Sequence, residues 1–135
     1  MSGANAALAR RWFEDVWNVR REETVRELMA PAVEGHMEGG LEVHGPEDFL
    51  TARSGLLEAF PDLQVTVEGV IAEGEDVAVR WSASGTHLGE SLGFPASNRP
   101  AMFRGITWLT FRNGQIVKGW DAWNQGRLLQ DLQAP

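Results

Sequence analysis

One acidic side chain near the end of the sequence has almost entirely apolar neighbours. Asp121 follows Trp120 and precedes Ala122 and Trp123, in a segment that alternation predicts to be a strand. If the carboxylate points into the protein, burial disfavours its charged form and raises its pKa. A carboxylate adjusted in this way can take a proton from carbon or oxygen near neutral pH. Strand parity groups Asp121 with Val117 and Trp123, and it leaves open whether that face is buried or meets water.

A second polar group has the residue types of a metal site. It consists of His36, Glu38, Glu42 and His44. A two-residue hairpin turn at Gly39-Gly40 would place the first two on one strand face and the last two on the other. The candidate ligands are then split, and no H-E-x-x-H spacing is present, so we expect no metal. His36 alone is either a core histidine with one satisfied nitrogen or a catalytic group.

Other residues with catalytic potential lack the surroundings that their chemistry needs. The sequence has no cysteine, which excludes disulfides, thiol catalysis and thiolate metal sites. It has no P-loop or Rossmann fingerprint, and the glycine-flanked serine of residues 89–93 has loop surroundings. His87, at the start of the same loop, is predicted to be a turn residue with a solvated imidazole.

Composition limits the class of protein and its partners. The 135 residues fit one domain, residues 1–135, with enough apolar surface for one core. Nineteen acidic and twelve basic residues give a net charge of −7, with the bases interleaved among acids. This argues against nucleic acid and anionic membranes as partners.

No apolar run approaches the roughly 18 residues of a membrane span, and we expect a cytoplasmic protein. Six Trp, six Phe and no Tyr predict aromatic packing around a core or a ligand.

Three helices are predicted in the first half of the chain. Apolar residues at three- and four-residue spacing predict a helix over residues 4–19. A shorter helix over residues 22–29 is stopped by Pro31. The third begins at Gly45-Pro46-Glu47, where proline suits the first helical position and glutamate the positive end of the helix dipole. Pro61 ends it.

Beyond that proline the apolar period changes from 3.6 to 2, which predicts strands. They cover residues 63–73, 76–86, 102–112 and 115–124, and Asn113-Gly114 is the strongest hairpin signal. A long Gly/Pro/Ser loop, residues 87–100, separates the two hairpins. The pattern predicts an α+β domain with helices on one face of a curved sheet. A sheet of this size does not close on itself, so it leaves a cone-shaped pocket under the helices.

Short motifs appear in a fixed order along most of the chain. They are Phe60-Pro61-Asp62-Leu63, Val77-Ala78-Val79-Arg80-Trp81, Gly85-Thr86-His87, Gly93-Phe94-Pro95, Phe103-Arg104-Gly105-Ile106, Asn113-Gly114-Gln115-Ile116-Val117 and Trp120-Asp121-Ala122-Trp123. Their order and spacing resemble those of the SnoaL-like polyketide cyclases, a family of the nuclear transport factor 2 superfamily. The resemblance extends from about Asn5 to Leu129.

The resemblance implies a cone-shaped α+β barrel, with N-terminal helices on a curved, mainly antiparallel sheet, and a homodimer formed through the sheet. It also implies a cofactor-free and metal-free intramolecular aldol cyclisation, with Asp121 taking and returning the proton. His36 matches a histidine common in the family. Characterised cyclases pair the aspartate with a histidine on the neighbouring strand, and at about that place this chain has Thr107 and Trp108.

We therefore expect a small enzyme that acts on a hydrophobic, polyketide-like carbonyl compound. Asp121 would be the general base and then the general acid, and His36 or Asn124 would polarise a substrate oxygen. Four indole rings would shape the cavity: those of Trp17, Trp81, Trp108 and Trp123.

Three other functions remain open on the same fold. Steroid isomerases lean on a tyrosine as oxyanion donor, and this chain has no tyrosine. Epoxide hydrolysis would need two aspartates around an arginine, of which Arg104 and Asp121 supply two members. The third alternative is a dimer that binds small molecules or partners without catalysis.

Overall fold

The computed structural model describes residues 2–134 and contains four α-helices and six β-strands. The helices are α1 (Ser2–Phe13), α2 (Glu22–Leu28), α3 (Pro46–Ala59) and α4 (Gln125–Gln133). A π-helical turn, Glu14–Val19, continues α1, and a short 3-10 turn covers Glu38–Gly40. Among residues 2–134, no helix is both long enough and apolar enough to cross a membrane.

The strands form one sheet in the order β2-β1-β6-β5-β4-β3. They are β1 (Met29–His36), β2 (Glu42–His44), β3 (Gln64–Glu73), β4 (Asp76–Thr86), β5 (Pro100–Arg112) and β6 (Gln115–Trp123). All neighbours are antiparallel except β1 and β6, which are parallel. The sheet is curved and unclosed, and the predicted α+β class is confirmed.

The first helix packs on the sheet through the apolar stripe that its sequence predicts. Ala9, Trp12, Phe13 and Val16 are all buried, at the spacing that places side chains on one helix face. The π-helical turn carries this stripe to Val16, whose backbone carbonyl accepts a hydrogen bond of 3.0 Å from Nε of the buried Arg53. This bond joins α3 to the end of the first helix beneath the sheet.

Alternation along β4 and β5 gives the sheet two unlike faces. On β5 the odd-numbered residues from Ala101 to Phe111 turn inward, and the even-numbered residues turn outward. The inner face and the helices enclose the core, in which Phe60 and Phe111 are the largest fully buried side chains. The outer face carries exposed Met102 and Trp108. We use "inner" and "outer" for these two faces below.

The region between α2 and α3 differs from the prediction. The helix expected over residues 22–29 ends at Leu28, and Pro31 lies inside β1. β1 obtains its main partner from β6, with Gly35 opposite Gly119, 84 residues later in the chain. Local periodicity contains no information about so distant a partner. The predicted count of four strands was therefore wrong, because β1 and β2 were missed.

The two-residue turn at Gly39-Gly40, considered above only for the metal-site residues, is not formed, and the register differs accordingly. His36 pairs with Glu42 across β1 and β2, which puts them on the same face. The prediction had put them on opposite faces. The cause is the turn, which is longer than two residues and closes through a hydrogen bond from Met37 N to Leu41 O at 2.8 Å.

The C-terminal helix α4 was also absent from the prediction. Only Leu128 and Leu132 are buried along it, one turn apart, and they are too few for a clear periodic signal in nine residues. β6 ends at Trp123, so Asn124 precedes the helix and is not part of the strand.

Candidate active site

An apolar cavity lies between the helices and the inner face of the sheet. The cavity has a volume of about 110 Å³. Its walls come from α1 and its π-helical turn, α3 and strands β1 to β6. Among the described lining residues there is no lysine or arginine, and the only carboxylate is that of Asp121.

Aromatic rings form the helical wall of the cavity. Trp12 and Trp17 both pack against Phe49, with ring centroids 5.2 Å and 6.0 Å from it. The second contact is edge-to-face, at 75°, a preferred geometry for aromatic pairs. The Trp-rich composition is explained in part by this wall.

A second aromatic cluster forms the sheet wall. Phe103 packs against Trp123 with ring centroids 4.9 Å apart, and it meets Trp81 edge-on at 6.1 Å. The two indoles are 6.4 Å apart. Gly105 lies directly beneath them, and its lack of a side chain leaves room for both rings.

A methyl group at Gly105 has no free space. A Cβ there would lie 2.5 Å from the Trp123 Cβ, 2.6 Å from the Ala122 carbonyl oxygen and 2.8 Å from the Trp81 ring. We therefore expect Gly105→Ala to lower the free energy of unfolding by about 1–3 kcal/mol. Gly55→Ala in α3 is the matched control, because nothing lies within 4 Å of its Cβ. Relief of glycine's helix penalty should stabilise that variant by about 0.5–1 kcal/mol. Urea unfolding of both variants measures the two changes, and equal effects would contradict the packing argument.

Asp121 points into the cavity because of an irregularity in β6. The pairing of β6 with β5 shifts between Thr110 and Phe111, which leaves Val117 as an extra residue. Beyond this bulge, Gly119, Asp121 and Trp123 line the cavity, and before it Ile116 does so. Simple parity had grouped Asp121 with Val117 and Trp123. Trp123 does share the cavity face with Asp121, whereas Val117 does not.

The Asp121 carboxylate has one hydrogen-bond partner among the described residues. The hydroxyl of the buried Thr107, directly opposite on β5, donates to Oδ1 at 2.6 Å. The Thr107 Oγ1 in turn accepts a bond from the indole Nε1 of Trp81 at 2.9 Å. No described side chain or backbone N–H donates to Oδ2, which leaves this oxygen to the cavity.

The pKa of Asp121 is raised to about 6, mainly because the carboxyl group is buried. This value already includes the Thr107 hydrogen bond, which lowers the pKa, and the nearby charge of Glu38, which raises it. Glu38 is fixed in place by the backbone N–H of Trp123, which donates to its Oε1 at 3.0 Å. Although part of Asp121 faces open cavity space, its carboxyl group is surrounded by apolar side chains. The arrangement is that of a carboxylate with a proton affinity suited to general acid–base chemistry.

Most of the predicted aromatic residues lie at the cavity, and one does not. Trp17, Trp81 and Trp123 line it. Trp108 lies on the outer face, 54% exposed, where its Nε1 donates to Asp76 Oδ1 at 3.1 Å. The prediction that Trp108 shapes the cavity is therefore wrong, because inward residues of β5 have odd numbers. Three further rings line the cavity without having been predicted to do so, those of Trp12, Phe49 and Phe103, although their aromatic type and spacing were a usable signal.

His36 borders the cavity, but the structure does not bring its ring together with Asp121. His36 pairs with Trp120 across β1 and β6, and its ring stacks on that indole at 3.9 Å and 23°. Its Nδ1 lies 2.7 Å from the Glu42 carboxylate. Trp120 and Asp121 are consecutive strand residues and face opposite ways. A catalytic role for His36 stays a prediction that this geometry does not favour.

Two further polar residues lie elsewhere than the sequence suggested. Asn124 is exposed and borders a shallow surface depression with Arg104 and Arg127, outside the apolar cavity. His87 is fully buried, so its predicted solvation was wrong. The Ser97 backbone N–H donates to its Nδ1 at 3.0 Å, which anchors the long loop. Within residues 2–134, no three His, Cys, Asp or Glu side chains converge as metal ligands would.

Comparison with known proteins identifies a family and a group of structural neighbours. Residues 7–132 match the family of SnoaL-like polyketide cyclases. No curated protein is significantly similar to this chain. A candidate SnoaL-like polyketide cyclase from Jannaschia sp. CCS1 has a TM-score of 0.92 at 26% identity, covering 99% of this chain and 94% of its own.

Two structures from Streptomyces are similar over comparable lengths. AclR of Streptomyces galilaeus, a candidate hydroxylase, has a TM-score of 0.85 at 28% identity, over 100% of this chain and 87% of its own. IdmH of Streptomyces antibioticus, a candidate polyketide cyclase, has a TM-score of 0.83 at 27% identity, over 96% and 99%. The family match covers nearly all of the chain, and these neighbours agree with it in fold.

Proposed function

The chain belongs to the SnoaL-like polyketide cyclase family, and we propose that it is a cofactor-free enzyme acting on a hydrophobic, polyketide-like carbonyl compound. The observation that carries the proposal is Asp121, a carboxylate with a pKa of about 6 in an apolar cavity. A base of this strength is largely ionised at pH 7, yet it still binds a proton well enough to return it.

The reaction we propose is an intramolecular aldol cyclisation. Asp121 removes a proton from a carbon next to a carbonyl group, and the electron pair of that C–H bond forms an enolate. The enolate carbon attacks a second carbonyl of the same molecule, which forms the new C–C bond and an alkoxide. Protonated Asp121 then returns its proton to the alkoxide oxygen. Atoms and electrons balance without an oxidant or a reductant, and the carboxylate is regenerated.

The cavity supports a hydrophobic and uncharged substrate. Its aromatic walls offer flat faces for stacking, and the described lining contains no lysine or arginine that would pair with a carboxylate or phosphate. An anionic substrate would also be repelled by Asp121 itself, and that repulsion is strong where water is excluded.

The test is proton exchange, which needs only the first step of the reaction. Polycyclic ketoesters are incubated with the protein in heavy water, and deuterium uptake at activated C–H positions is followed by NMR. We expect uptake to be catalysed and its rate to increase with pH through about 6, as Asp121 loses its proton. Tight binding of the ketoesters without uptake would favour the non-catalytic binding protein. A rate independent of pH between 5 and 7 would exclude Asp121 as the base.

We also propose that the protein forms a homodimer through the outer face of its sheet. The outer patch consists of Met102, Ile106, Trp108 and Trp120, which are all at least half exposed on β5 and β6. A twofold axis through such a patch would cover apolar surface with a second copy of itself. Light scattering should give twice the chain mass of 14.9 kDa. Ile106→Glu should give a monomer, and a monomeric wild-type protein would contradict the proposal.

A further inference from the structure

A hydrogen-bond chain of two residues reaches Asp121 from inside the sheet. The Trp81 indole N–H can only donate, so the Thr107 hydroxyl oxygen must be its acceptor. The Thr107 hydroxyl then has a single proton of its own, and the Asp121 Oδ1 is the only acceptor for it among the described residues. The direction of the chain is therefore fixed at both steps when Asp121 is ionised.

All three members are held rigidly. Trp81 and Thr107 are each buried to more than nine-tenths. The register of the sheet sets Thr107 opposite Asp121, and Trp81 packs against both Phe103 and Trp123. A donor that cannot rotate away keeps its acceptor oxygen in place.

We propose that Trp81 and Thr107 are positioning residues, which commit Asp121 Oδ1 to a permanent hydrogen bond and leave Oδ2 as the oxygen that exchanges the substrate's proton. The Thr107 hydroxyl thus supplies, without a charge, the orienting partner of the base. Because a neutral hydroxyl is far too weak a base to take a proton from carbon, the whole proton cycle belongs to one carboxylate.

This chain of donors also adjusts the strength of the base. A hydroxyl that donates to the ionised carboxylate favours the ionised form, so the bond opposes the effect of burial. Loss of the hydroxyl should therefore make Asp121 harder to ionise. Loss of the indole N–H should have a smaller effect in the same direction, because Thr107 would remain but could rotate.

The inference rests on the proposed function for its meaning, but its test needs no substrate. The side-chain carboxyl carbon of Asp121 is followed by carbon-13 NMR as pH is varied. Thr107→Val should raise the Asp121 titration midpoint by about one pH unit. Thr107→Ser, which keeps a hydroxyl, should restore it. Trp81→Phe should give a smaller upward shift.

The protein contains a second threonine that donates to an aspartate, and it serves as a matched control. Thr110, three residues further along β5, donates to Asp76 Oδ1 at 2.7 Å, at the outer margin of the sheet. Thr110→Val should leave the Asp121 titration unchanged. An unshifted midpoint in both Thr107→Val and Trp81→Phe would overturn the inference.

Failure of the inference can be told from failure of the proposed function. If wild type catalyses deuterium uptake, Thr107→Val should shift the pH dependence of that rate upward by the same amount as the NMR midpoint. If no uptake occurs but the midpoint shifts as expected, the positioning chain stands and the proposed reaction fails. If uptake occurs but the Asp121 midpoint is unshifted in the variants, the proposed reaction stands and the positioning role of Trp81 and Thr107 fails.

Discussion

Asp121→Asn is expected to lower the rate of deuterium uptake by roughly 100- to 10,000-fold, the usual contribution of a positioned general base. The amide has nearly the shape of the carboxyl group and can still accept a hydrogen bond from Thr107 through its oxygen. It cannot take a proton from carbon at any pH between 4 and 9. The measurement compares initial uptake rates of wild type and variant at pH 8, where the wild-type carboxylate is ionised.

Ligand binding separates a chemical effect from a structural one. The aromatic walls contain no atom of Asp121, so quenching of tryptophan fluorescence by the same ketoester should give dissociation constants within a few-fold of each other. Asp131→Asn is the control for removal of an aspartate. Its carboxylate is exposed on α4, and its one side-chain partner among residues 2–134 is Arg127, at 3.1 Å, so we expect unchanged uptake. An Asp121→Asn variant as active as wild type would exclude the proposed mechanism.

Asp121 could be singled out from the sequence because a carboxylate is rarely found among apolar strand residues unless it has a function. A carboxylate between tryptophans on a strand either serves a function or is poorly placed. Its direction could not be derived, because the bulge at Val117 changes parity in the middle of β6. Such bulges arise where two strands fit each other, and neither strand shows one by itself. The motif resemblance implied the role of base for Asp121, but the direction of its side chain stayed open without the structure.

The strand β1 was missed because it depends on a distant partner. β1 is a strand because β6 offers it a parallel edge, and Pro31 is tolerated there although it appeared to end a helix. The direction of the His36 ring depends on the same pairing, because the ring stacks on Trp120 of β6. The error at Trp108 has a different cause. The alternation of Trp108 with Thr107 was visible in the sequence, but which of the two faces the helices was not. Trp108 was therefore assigned to the cavity on its aromatic type alone.

The two faces of β5 divide the tasks of the protein between neighbouring residues. Thr107 orients the candidate base inside the cavity, and Trp108 adds to the apolar outer patch. Because strand side chains alternate, a one-residue slip of β5 would exchange these roles and expose the inner aromatic cluster. The rigid register around Gly105, where two indoles pack over a bare backbone, therefore protects the site as well as the core.

A buried base should also weaken the fold as pH rises, and this gives a second large effect. The pKa of Asp121 rises from 3.8 to about 6 on folding. Between these values the folded protein holds a proton that the unfolded chain has lost, so stability falls as pH increases. Below about pH 4 both states are protonated and nothing is lost. Above about pH 6 the whole penalty applies, and it amounts to ~3 kcal/mol.

Asp121→Asn removes this penalty, because an amide does not titrate. Any cost of the amide itself is the same at every pH, so the informative quantity is how the difference in unfolding free energy between variant and wild type changes with pH. We expect this difference to increase in favour of the variant by up to ~3 kcal/mol between pH 4 and pH 7, as measured by urea unfolding. The exposed Asp131→Asn variant should run parallel to wild type throughout. Parallel curves for Asp121→Asn would mean that its carboxylate is solvated in the folded protein. A curve that diverges as expected, together with lost proton exchange, would mean that the protein gives up stability to keep a desolvated base in its cavity.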